Sequence, residues 1–414
     1  MYGDEMKRES GASKARLIGD AAGLDARATT RLRVLNCIRG MGEASRTDIA
    51  AALKLSPATV TFVTSGLMAG DLIEEVSSAD APDTSRRGRP RVALRLRKGT
   101  FYVAGIKIAR DDMSILLLDF DGQEVTHLTT KLPQPRMAPE ELVKIIRDGV
   151  TTACQQIGSG IDMLAGITIG LAGQVDAAKT FVHWSSSMTE RNIDFGALLA
   201  EHIPCAAFVE NDANLVAKAE QLFGEARGLK NFLVVTVEHG VGLGIVLDGH
   251  LHRGERGCGA EFGHTKVALH GADCQCGQQG CLEAYIGSYA LLSRADEIMS
   301  GENIRTVRDL VHHARDGNSQ AGRILDEAGQ MFGLGLSNLI NLFDPERIIL
   351  SGAEHRIAHL HSDAVMDQVR KSVVKVDAPL PDIRVHHWDD LMWARGAAAM
   401  GIELVSALKV KGLA

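Results

Sequence analysis

The sequence lacks three features that would place the protein in a membrane or outside the cell. Long apolar runs are missing, since no stretch approaches the roughly 20 apolar residues that span a bilayer. The first residues, 1–5, are polar and mixed in charge, so they do not resemble a secretory signal. Cysteine occurs only seven times, an odd number that disfavours a disulfide framework. We therefore expect a cytoplasmic protein without membrane insertion.

Length and charge indicate more than one domain. A chain of 414 residues is long for a single hydrophobic core, so two or three domains are expected. The net charge of −7 is unevenly divided: residues 1–99 carry 17 Lys and Arg against 12 Asp and Glu, whereas the rest carries 28 against 40. A basic first quarter on an acidic body is typical of a nucleic-acid-binding module joined to a sensor.

Three short helices are predicted near the start of the chain, over residues 30–40, 48–53 and 56–68, because apolar residues recur there at helical spacing. Ser45 or Thr47 can cap the second helix. Ser56 caps the third, which has a proline at its first position, where the missing N–H costs nothing. Three short helices with a tight turn before the third are typical of a helix-turn-helix, whose third helix lies in the major groove of DNA.

The third helix has two different faces. One is apolar and is predicted to be buried, whereas the other carries small and hydroxyl side chains and one phenylalanine, which suit close approach to phosphates and thymine methyl groups. The predicted DNA-contacting residues of this helix are Ser56, Ala58, Thr59, Thr61 and Phe62, with Thr64 on the same face. The alternative is a three-helix bundle that serves only packing or dimerisation.

A polar loop between two predicted strands, 70–76 and 92–96, completes a winged helix-turn-helix. The loop ends in four arginines among six residues. Within it, Arg87, Gly88 and Arg89 resemble the core of an AT-hook, whose extended backbone lets arginines enter a narrow, A·T-rich minor groove. We therefore predict a DNA-binding domain with an N-terminal arm over residues 1–98 and a sensing domain over residues 99–414.

One histidine and three cysteines crowd into a glycine-rich stretch. Such a set can close a tetrahedron around a structural Zn²⁺ ion. The four predicted ligands are His264, Cys274, Cys276 and Cys281. Three buried free cysteines and an ordinary core histidine are the alternative, which the polar surroundings disfavour. Glu261 and Glu283 lie in the same stretch, and a closed zinc site does not need them, so they suit the binding of sugar hydroxyls.

This stretch resembles the signature of the ROK family, which contains repressors, open reading frames and sugar kinases. The signature runs Gly-x-x-Gly-x-x-Gly-Glu-x-Gly-His, followed by Cys-x-Cys-Gly-x-x-Gly-Cys-x-Glu. The matching residues are Gly254, Gly257, Glu261, Gly263, His264, Cys274, Cys276, Gly277, Gly280, Cys281 and Glu283. The resemblance extends from about Tyr102 to the C-terminus. It implies an α/β protein with a two-lobed, actin-like ATPase fold that follows the winged helix-turn-helix.

The resemblance implies a complete sugar-binding half-site. Asp212 matches the general base of the family's kinases, and Asn211, Glu261, His264 and Glu283 match positions that bind the ring hydroxyls. Zinc, coordinated over residues 264–281, would hold His264 and Glu283 in register.

The nucleotide half-site departs from the kinase pattern. The kinases' Asp-x-Gly-Gly-Thr-Lys is replaced by Lys107-Ile108-Ala109-Arg110-Asp111-Asp112, and their Gly-Thr-Gly by Glu238-His239-Gly240. Close approach to phosphate needs glycine, and carboxylates repel phosphate. The sequence therefore predicts a chain that binds sugar without phosphorylating it.

Together these features predict a sugar-responsive transcriptional regulator that acts as a repressor and is not an enzyme. Its expected partners are double-stranded operator DNA, a monosaccharide or sugar phosphate, and further copies of the chain in a homodimer or tetramer. Structural Zn²⁺ is its expected cofactor. Two alternatives stay open: an active ATP-dependent sugar kinase of the ROK family with an accessory DNA-binding domain, and a repressor controlled mainly by a protein partner.

Overall fold

The computed structural model describes residues 25–76, 92–352, 357–375, 377, 379–387, 389 and 391–413. The predicted wing residues Arg87, Gly88 and Arg89 lie outside this part of the chain. The described helices are α1 (Ala26–Met41), α2 (Arg46–Leu53), α3 (Pro57–Ala69), α4 (Pro139–Gln155), α5 (Phe195–His202), α6 (Asp212–Leu222), α7 (Glu283–Ile286), α8 (Ser288–Ile298), α9 (Val307–Arg315), α10 (Ser319–Phe343), α11 (Asp363–Ser372) and α12 (Met392–Lys411). None of them combines the length and apolar character that crossing a membrane requires.

In the described part of the chain the strands form four sheets. They are β1 (Glu43–Ser45), β2 (Ile73–Val76), β3 (Ala93–Leu96), β4 (Tyr102–Ile108), β5 (Asp112–Asp119), β6 (Glu124–Lys131), β7 (Leu164–Leu171), β8 (Gly173–Asp176), β9 (Phe181–Ser185), β10 (Ile193–Asp194), β11 (Ala206–Asn211), β12 (Phe232–Val237), β13 (Val241–Leu247), β14 (His250–Leu251), β15 (Arg347–Ser351) and β16 (Asp382–His386). Two sheets have three strands, in the orders β1-β3-β2 and β10-β9-β8, and two have five.

The three predicted N-terminal helices are confirmed as helices, with shifted ends. Helix α1 begins before the predicted start, because Asp25 accepts a hydrogen bond from the Ala28 N–H and caps it. Ser45, not Thr47, caps α2, and it forms a reciprocal capping box with Asp48. Ser56 caps α3 as predicted. Strand β1, which sequence patterning did not reveal, pairs with β3 beside the predicted β2–β3 hairpin.

Placing Thr64 on the outward face of α3 was wrong. Its side chain is buried together with Val60, Val63 and Leu67. These four residues share the i, i+3, i+4, i+7 spacing of one helical face. The hydroxyl of Thr64 accepts a hydrogen bond from Arg46 Nε at 3.2 Å, which offsets the cost of burying it.

Each five-stranded sheet repeats one plan. The first has the order β6-β5-β4-β7-β11 and the second the order β14-β13-β12-β15-β16. In both, the leading hairpin is antiparallel and its first strand pairs in parallel with the next strand, β7 or β15. The central strands are almost wholly apolar because both of their faces are covered. The two similar halves expected of an actin-like fold are therefore present.

The described chain forms two compact units, and the boundary cuts the chain twice. The second unit is Asn211–Gly396, and the first resumes at Ala397, within α12. Inside the first unit, the end of α12 is tied to the N-terminal helices. The buried guanidinium of Arg31, on α1, donates to the carbonyl oxygens of Val410 at 3.4 Å and Leu413 at 2.7 Å. These carbonyls belong to the last turn of α12 and its continuation, where helical carbonyls can accept hydrogen bonds from side chains.

Candidate functional site

The four predicted metal ligands lie together in the second unit. The donor atoms of His264, Cys274, Cys276 and Cys281 all lie within 4.8 Å of one another. The Cys276 and Cys281 sulfurs are 3.8 Å apart, and Cys274 Sγ is 3.7 Å from His264 Nδ1. With metal–sulfur bonds of about 2.3 Å, a tetrahedral ion separates two sulfurs by about 3.8 Å. The donor set and its spacing therefore fit a tetrahedral metal ion such as zinc.

A tight backbone frame holds these four residues, which we call the metal cluster. A short 3₁₀ turn, Phe262–His264, presents the histidine. Two antiparallel bridges, Lys266 with Cys281 and Asp273 with Gln279, then close the loop that carries the cysteines. Gly280 is essential to this closure, because a Cβ there would lie 1.7 Å from the carbonyl oxygen of Ala268 and its φ is +71°.

Three carboxylates form an acidic cluster beside the metal cluster: Asp212, Glu261 and Glu283. Burial, together with the negative charges of Asp212 and Glu283, raises the pKa of Glu261 to about 7. A carboxyl group that is partly protonated near neutral pH can both donate and accept hydrogen bonds, as a sugar hydroxyl does. All three belong to the second unit, as does Asn211.

Two of the predicted sugar-binding residues, Asn211 and Asp212, lie where β11 ends and helix α6 begins. Asn211 caps helix α6, since its side-chain oxygen accepts hydrogen bonds from the Ala213 and Asn214 N–H groups at 2.9 and 3.3 Å. Asp212 is the first residue of the helix. The positive end of the helix dipole favours an ionised carboxylate at this position.

His264 connects the two clusters. Its Nδ1 faces Cys274, whereas its Nε2 lies 4.0 Å from a carboxylate oxygen of Glu261. One imidazole can therefore bind a metal through Nδ1 and orient a carboxylate or a ligand hydroxyl through Nε2. The two predicted roles of His264 are compatible in this geometry.

Glu283 is held by the turn of the second hairpin. One of its oxygens accepts a hydrogen bond from the Val241 N–H at 3.0 Å. The other lies 3.4 Å from the hydroxyl of Tyr289, which is itself 3.6 Å from Cys274 Sγ. Burial raises the pKa of Tyr289, so its hydroxyl stays protonated and available as a donor. Sequence reasoning missed Tyr289, because no motif spacing singles it out.

Local hydrogen bonds close the turns of the two leading hairpins, β4–β5 and β12–β13. In the first hairpin, the Ala109 N–H donates to the Asp112 carbonyl at 2.9 Å. In the second, the Glu238 N–H donates to the Gly240 carbonyl at 2.9 Å, and the Glu238 carbonyl accepts from Ser288. His239 packs its ring against Tyr289, with the centroids 5.3 Å apart.

The outward face of α3 carries the predicted DNA-contacting residues. Ser56, Ala58, Thr61 and Phe62 are exposed and Thr59 is half-buried. The ring of Phe62 is the most prominent, because the residue is 65% exposed. The hydroxyl of Ser56 caps the helix and bonds to the Thr59 hydroxyl, so it is already engaged. Ser65, which sequence reasoning missed, is also exposed one turn after Thr61.

Comparison with known proteins identifies the family. Residues 103–403 match the profile of the ROK family. The xylose repressor of Bacillus spizizenii is 30% identical over 308 residues, which cover 74% of this chain and 77% of the repressor.

Two solved structures extend the comparison. One, a ROK family transcriptional regulator homologous to the Escherichia coli Mlc protein, matches with a TM-score of 0.79 at 25% identity and covers 93% of this chain and 99% of its own. The other, a ROK hexokinase from Thermus thermophilus, has a TM-score of 0.61 at 26% identity and covers 72% of this chain and 97% of its own. With its mixed five-stranded sheets and its matched signature, the chain belongs to the ROK family.

Proposed function

We propose that the protein is a sugar-responsive, DNA-binding transcriptional regulator that represses genes of carbohydrate metabolism. The main support is the part of the chain that has no counterpart in a kinase. The regulator structure matches 93% of the chain, whereas the hexokinase structure, itself almost fully covered, matches only 72%. The family profile begins at residue 103, and α1, α2, α3 and the β1-β3-β2 sheet precede it.

The N-terminal elements are proposed to form a winged helix-turn-helix within a DNA-binding domain of residues 1–98. Helix α3 would enter the major groove with Thr61 and Phe62 toward the bases, because both residues are exposed on its outward face. Their apolar atoms are therefore available to contact base edges. Arg87, Gly88 and Arg89 would reach an A·T-rich minor groove. A homodimer or tetramer would present two such domains to a pseudo-palindromic operator.

The metal cluster is proposed to hold a structural Zn²⁺ ion. Three thiolates and one imidazole complete a tetrahedron, so no position is left for water or substrate. Zinc would contribute folding energy and hold the loop that leads into Glu283. It would also fix the Nδ1 side of His264, so that Nε2 faces Glu261.

The acidic cluster with Asn211 and His264 is proposed to bind a monosaccharide or sugar phosphate in the sensing domain, residues 99–414. Carboxylates and an amide can each engage neighbouring ring hydroxyls, which fixes the orientation of the sugar. In this proposal Asp212, which matches the kinase base, acts as a hydroxyl ligand. Catalysis is proposed to be absent, because acidic Asp111, Asp112 and Glu238 occupy loops that hold phosphate in the kinases.

DNA binding is tested by selecting duplexes from a random library and measuring affinity for the selected sequence. Phe62→Ala is expected to weaken specific binding about tenfold or more, because apolar contact with base edges is lost. The matched control is Phe223→Ala, which removes another partly exposed phenylalanine from the second unit. Equal affinity of wild type and Phe62→Ala would place the DNA contact elsewhere.

Sugar control is tested by titrating the protein–DNA complex with common monosaccharides and their 6-phosphates. One of them is expected to lower DNA affinity with a coupling of about 1–3 kcal/mol. The same panel with ATP in a coupled assay tests the kinase alternative, and turnover near ~1 s⁻¹ would support it. If no sugar changes DNA affinity or is phosphorylated, control by a protein partner becomes the better account.

A further inference from the structure

A lysine touches one of the proposed zinc ligands. The ammonium nitrogen of Lys266 lies 2.8 Å from Cys281 Sγ. The cysteine is fully buried, whereas the lysine is an exposed residue, so its ammonium group contacts sulfur although water is available to the residue. Lys266 itself is not a residue of the family signature, since it lies between the two halves of that signature.

The backbone builds this contact. Lys266 and Cys281 are opposite each other in an antiparallel bridge. The bridge is bounded by hydrogen bonds from Val267 N to the Gly280 carbonyl at 2.9 Å and from Leu282 N to the Thr265 carbonyl at 3.0 Å. Directly opposed residues place their Cβ atoms about 4.5–5.5 Å apart on one face. The lysine is therefore held beside the cysteine by the same bridge that closes the loop.

The charge of the proposed site explains what an ammonium group does there. Three thiolates and a neutral imidazole around Zn²⁺ carry a net charge of −1, and the acidic cluster adds negative charge nearby. A lysine that donates to a thiolate offsets this excess charge. It also withdraws electron density from sulfur, and a less basic thiolate is a weaker nucleophile.

We propose that Lys266 is a positioning residue that protects the zinc-thiolate group: its hydrogen bond to Cys281 lowers the reactivity of the cluster toward electrophiles and oxidants. The inference rests on the proposed zinc site. Cys276 is the exposed ligand and is the first to meet a reagent from solvent. Its sulfur is 3.8 Å from that of Cys281, close enough for the lysine charge to act on both.

The test is the rate at which N-ethylmaleimide releases zinc from the full-length protein, followed with a chromogenic chelator. Lys266→Met keeps the length of the side chain and removes its charge and donors. Loss of the lysine should make the thiolates more basic, and a tenfold rise in basicity raises thiolate nucleophilicity about threefold. We therefore expect zinc release to become about threefold faster or more. Lys266→Arg should restore the wild-type rate to within about twofold, since it keeps a charged donor.

Controls separate the failure of this inference from the failure of the zinc proposal. Lys371→Met changes the net charge equally at an exposed lysine of the same unit and should leave the rate unchanged. Zinc content is measured before each reaction, and wild-type protein without zinc would overturn both proposals. Equal rates for wild type and Lys266→Met, at equal zinc content, would overturn the role of Lys266 alone. If the Met variant does not retain zinc, Lys266→Gln is compared with Lys266→Arg, and equal rates of these two have the same meaning.

Discussion

The two five-stranded sheets share one strand order but use their leading hairpins differently. In the first sheet, β5 lines the interior with large residues such as Ile115 and Leu117. In the second, β13 places Gly242 and Gly244 at its centre. A Cβ on Gly244 would lie 2.7 Å from the Ala213 carbonyl oxygen and 2.6 Å from the Ala217 Cβ, both on α6. The glycines therefore let the helix that begins with Asp212 lie directly on the sheet.

The turns of the two leading hairpins also differ in what their backbone groups bind. The first turn is closed by backbone hydrogen bonds from Ala109 to Asp112 and from Leu132 to Asp111. The second turn offers the Val241 N–H to Glu283, a residue of the acidic cluster. A repeated framework thus leaves its turns free to diverge, and the proposed ligand chemistry gathers in the second unit. We therefore expect function to depend on those turns and not on the shared strand order.

We expect the largest effect from removal of the metal, which should destabilise the second unit. Cys281→Ser should abolish stoichiometric zinc binding and lower the free energy of unfolding of the second unit by several kcal/mol, because a structural metal contributes directly to folding. Calorimetry with and without added zinc measures this. Cys258→Ser, a cysteine outside the metal cluster in the same unit, should change neither zinc content nor unfolding appreciably. Full zinc content in Cys281→Ser would contradict the assigned ligand set.

A substitution in the second hairpin should come next in size. Gly244→Ala forces a methyl group against the backbone of α6, which overpacks the contact and should lower the free energy of unfolding by about 1–3 kcal/mol. Chemical denaturation monitored by circular dichroism measures the loss. An unchanged denaturation midpoint would mean that α6 can move away from β13 without cost.

Glu283→Gln tests which hairpin serves the ligand. The substitution removes the charge that accepts the hydrogen bond from the Val241 N–H and that we propose binds sugar hydroxyls. Affinity for the effector sugar should therefore fall about tenfold, or about 1.4 kcal/mol. Isothermal titration measures it. The counterpart in the first hairpin is Asp112→Asn, which weakens only the exposed contact with Lys131 at 3.6 Å and should leave sugar affinity unchanged. Equal losses in the two variants would contradict the division between the hairpins.

The smallest effect should have the opposite sign to that of Gly244→Ala. Gly322 lies within α10, and a Cβ there would meet nothing within 4 Å. Gly322→Ala should therefore raise the free energy of unfolding by about 0.5–1 kcal/mol, because alanine loses less backbone entropy in a helix. The same denaturation experiment measures the gain, and a loss of stability would reveal a contact of α10 that the described residues do not provide.

The sequence predicted what local patterns specify. Strands β4, β5 and β7 follow from continuous apolar runs, and the start of α3 follows from Ser56 and its proline. The metal cluster followed from residue type and spacing, and its four donors do lie together. Zinc binding by those donors stays a prediction, as does sugar binding by the acidic cluster.

What the sequence could not predict depends on contacts between distant segments. Thr64 has a polar side chain, and its burial becomes favourable only once its hydroxyl bonds to Arg46, on another helix, and to the Thr61 carbonyl. Tyr289 acquires its neighbours only when the cysteine loop closes. Such side chains carry no periodic signal, because their environment is set by tertiary structure.

The interruption of the first unit by Asn211–Gly396 has a consequence for biosynthesis. A ribosome makes the whole second unit before it makes Ala397–Leu413, so the carbonyls that receive Arg31 emerge only after that unit. The proposed DNA-binding segment therefore receives this support only after the second unit has been synthesised, whereas the proposed zinc and sugar sites can assemble earlier. A chain that terminates prematurely near Gly396 would retain the sensing residues while leaving the N-terminal helices without this anchorage.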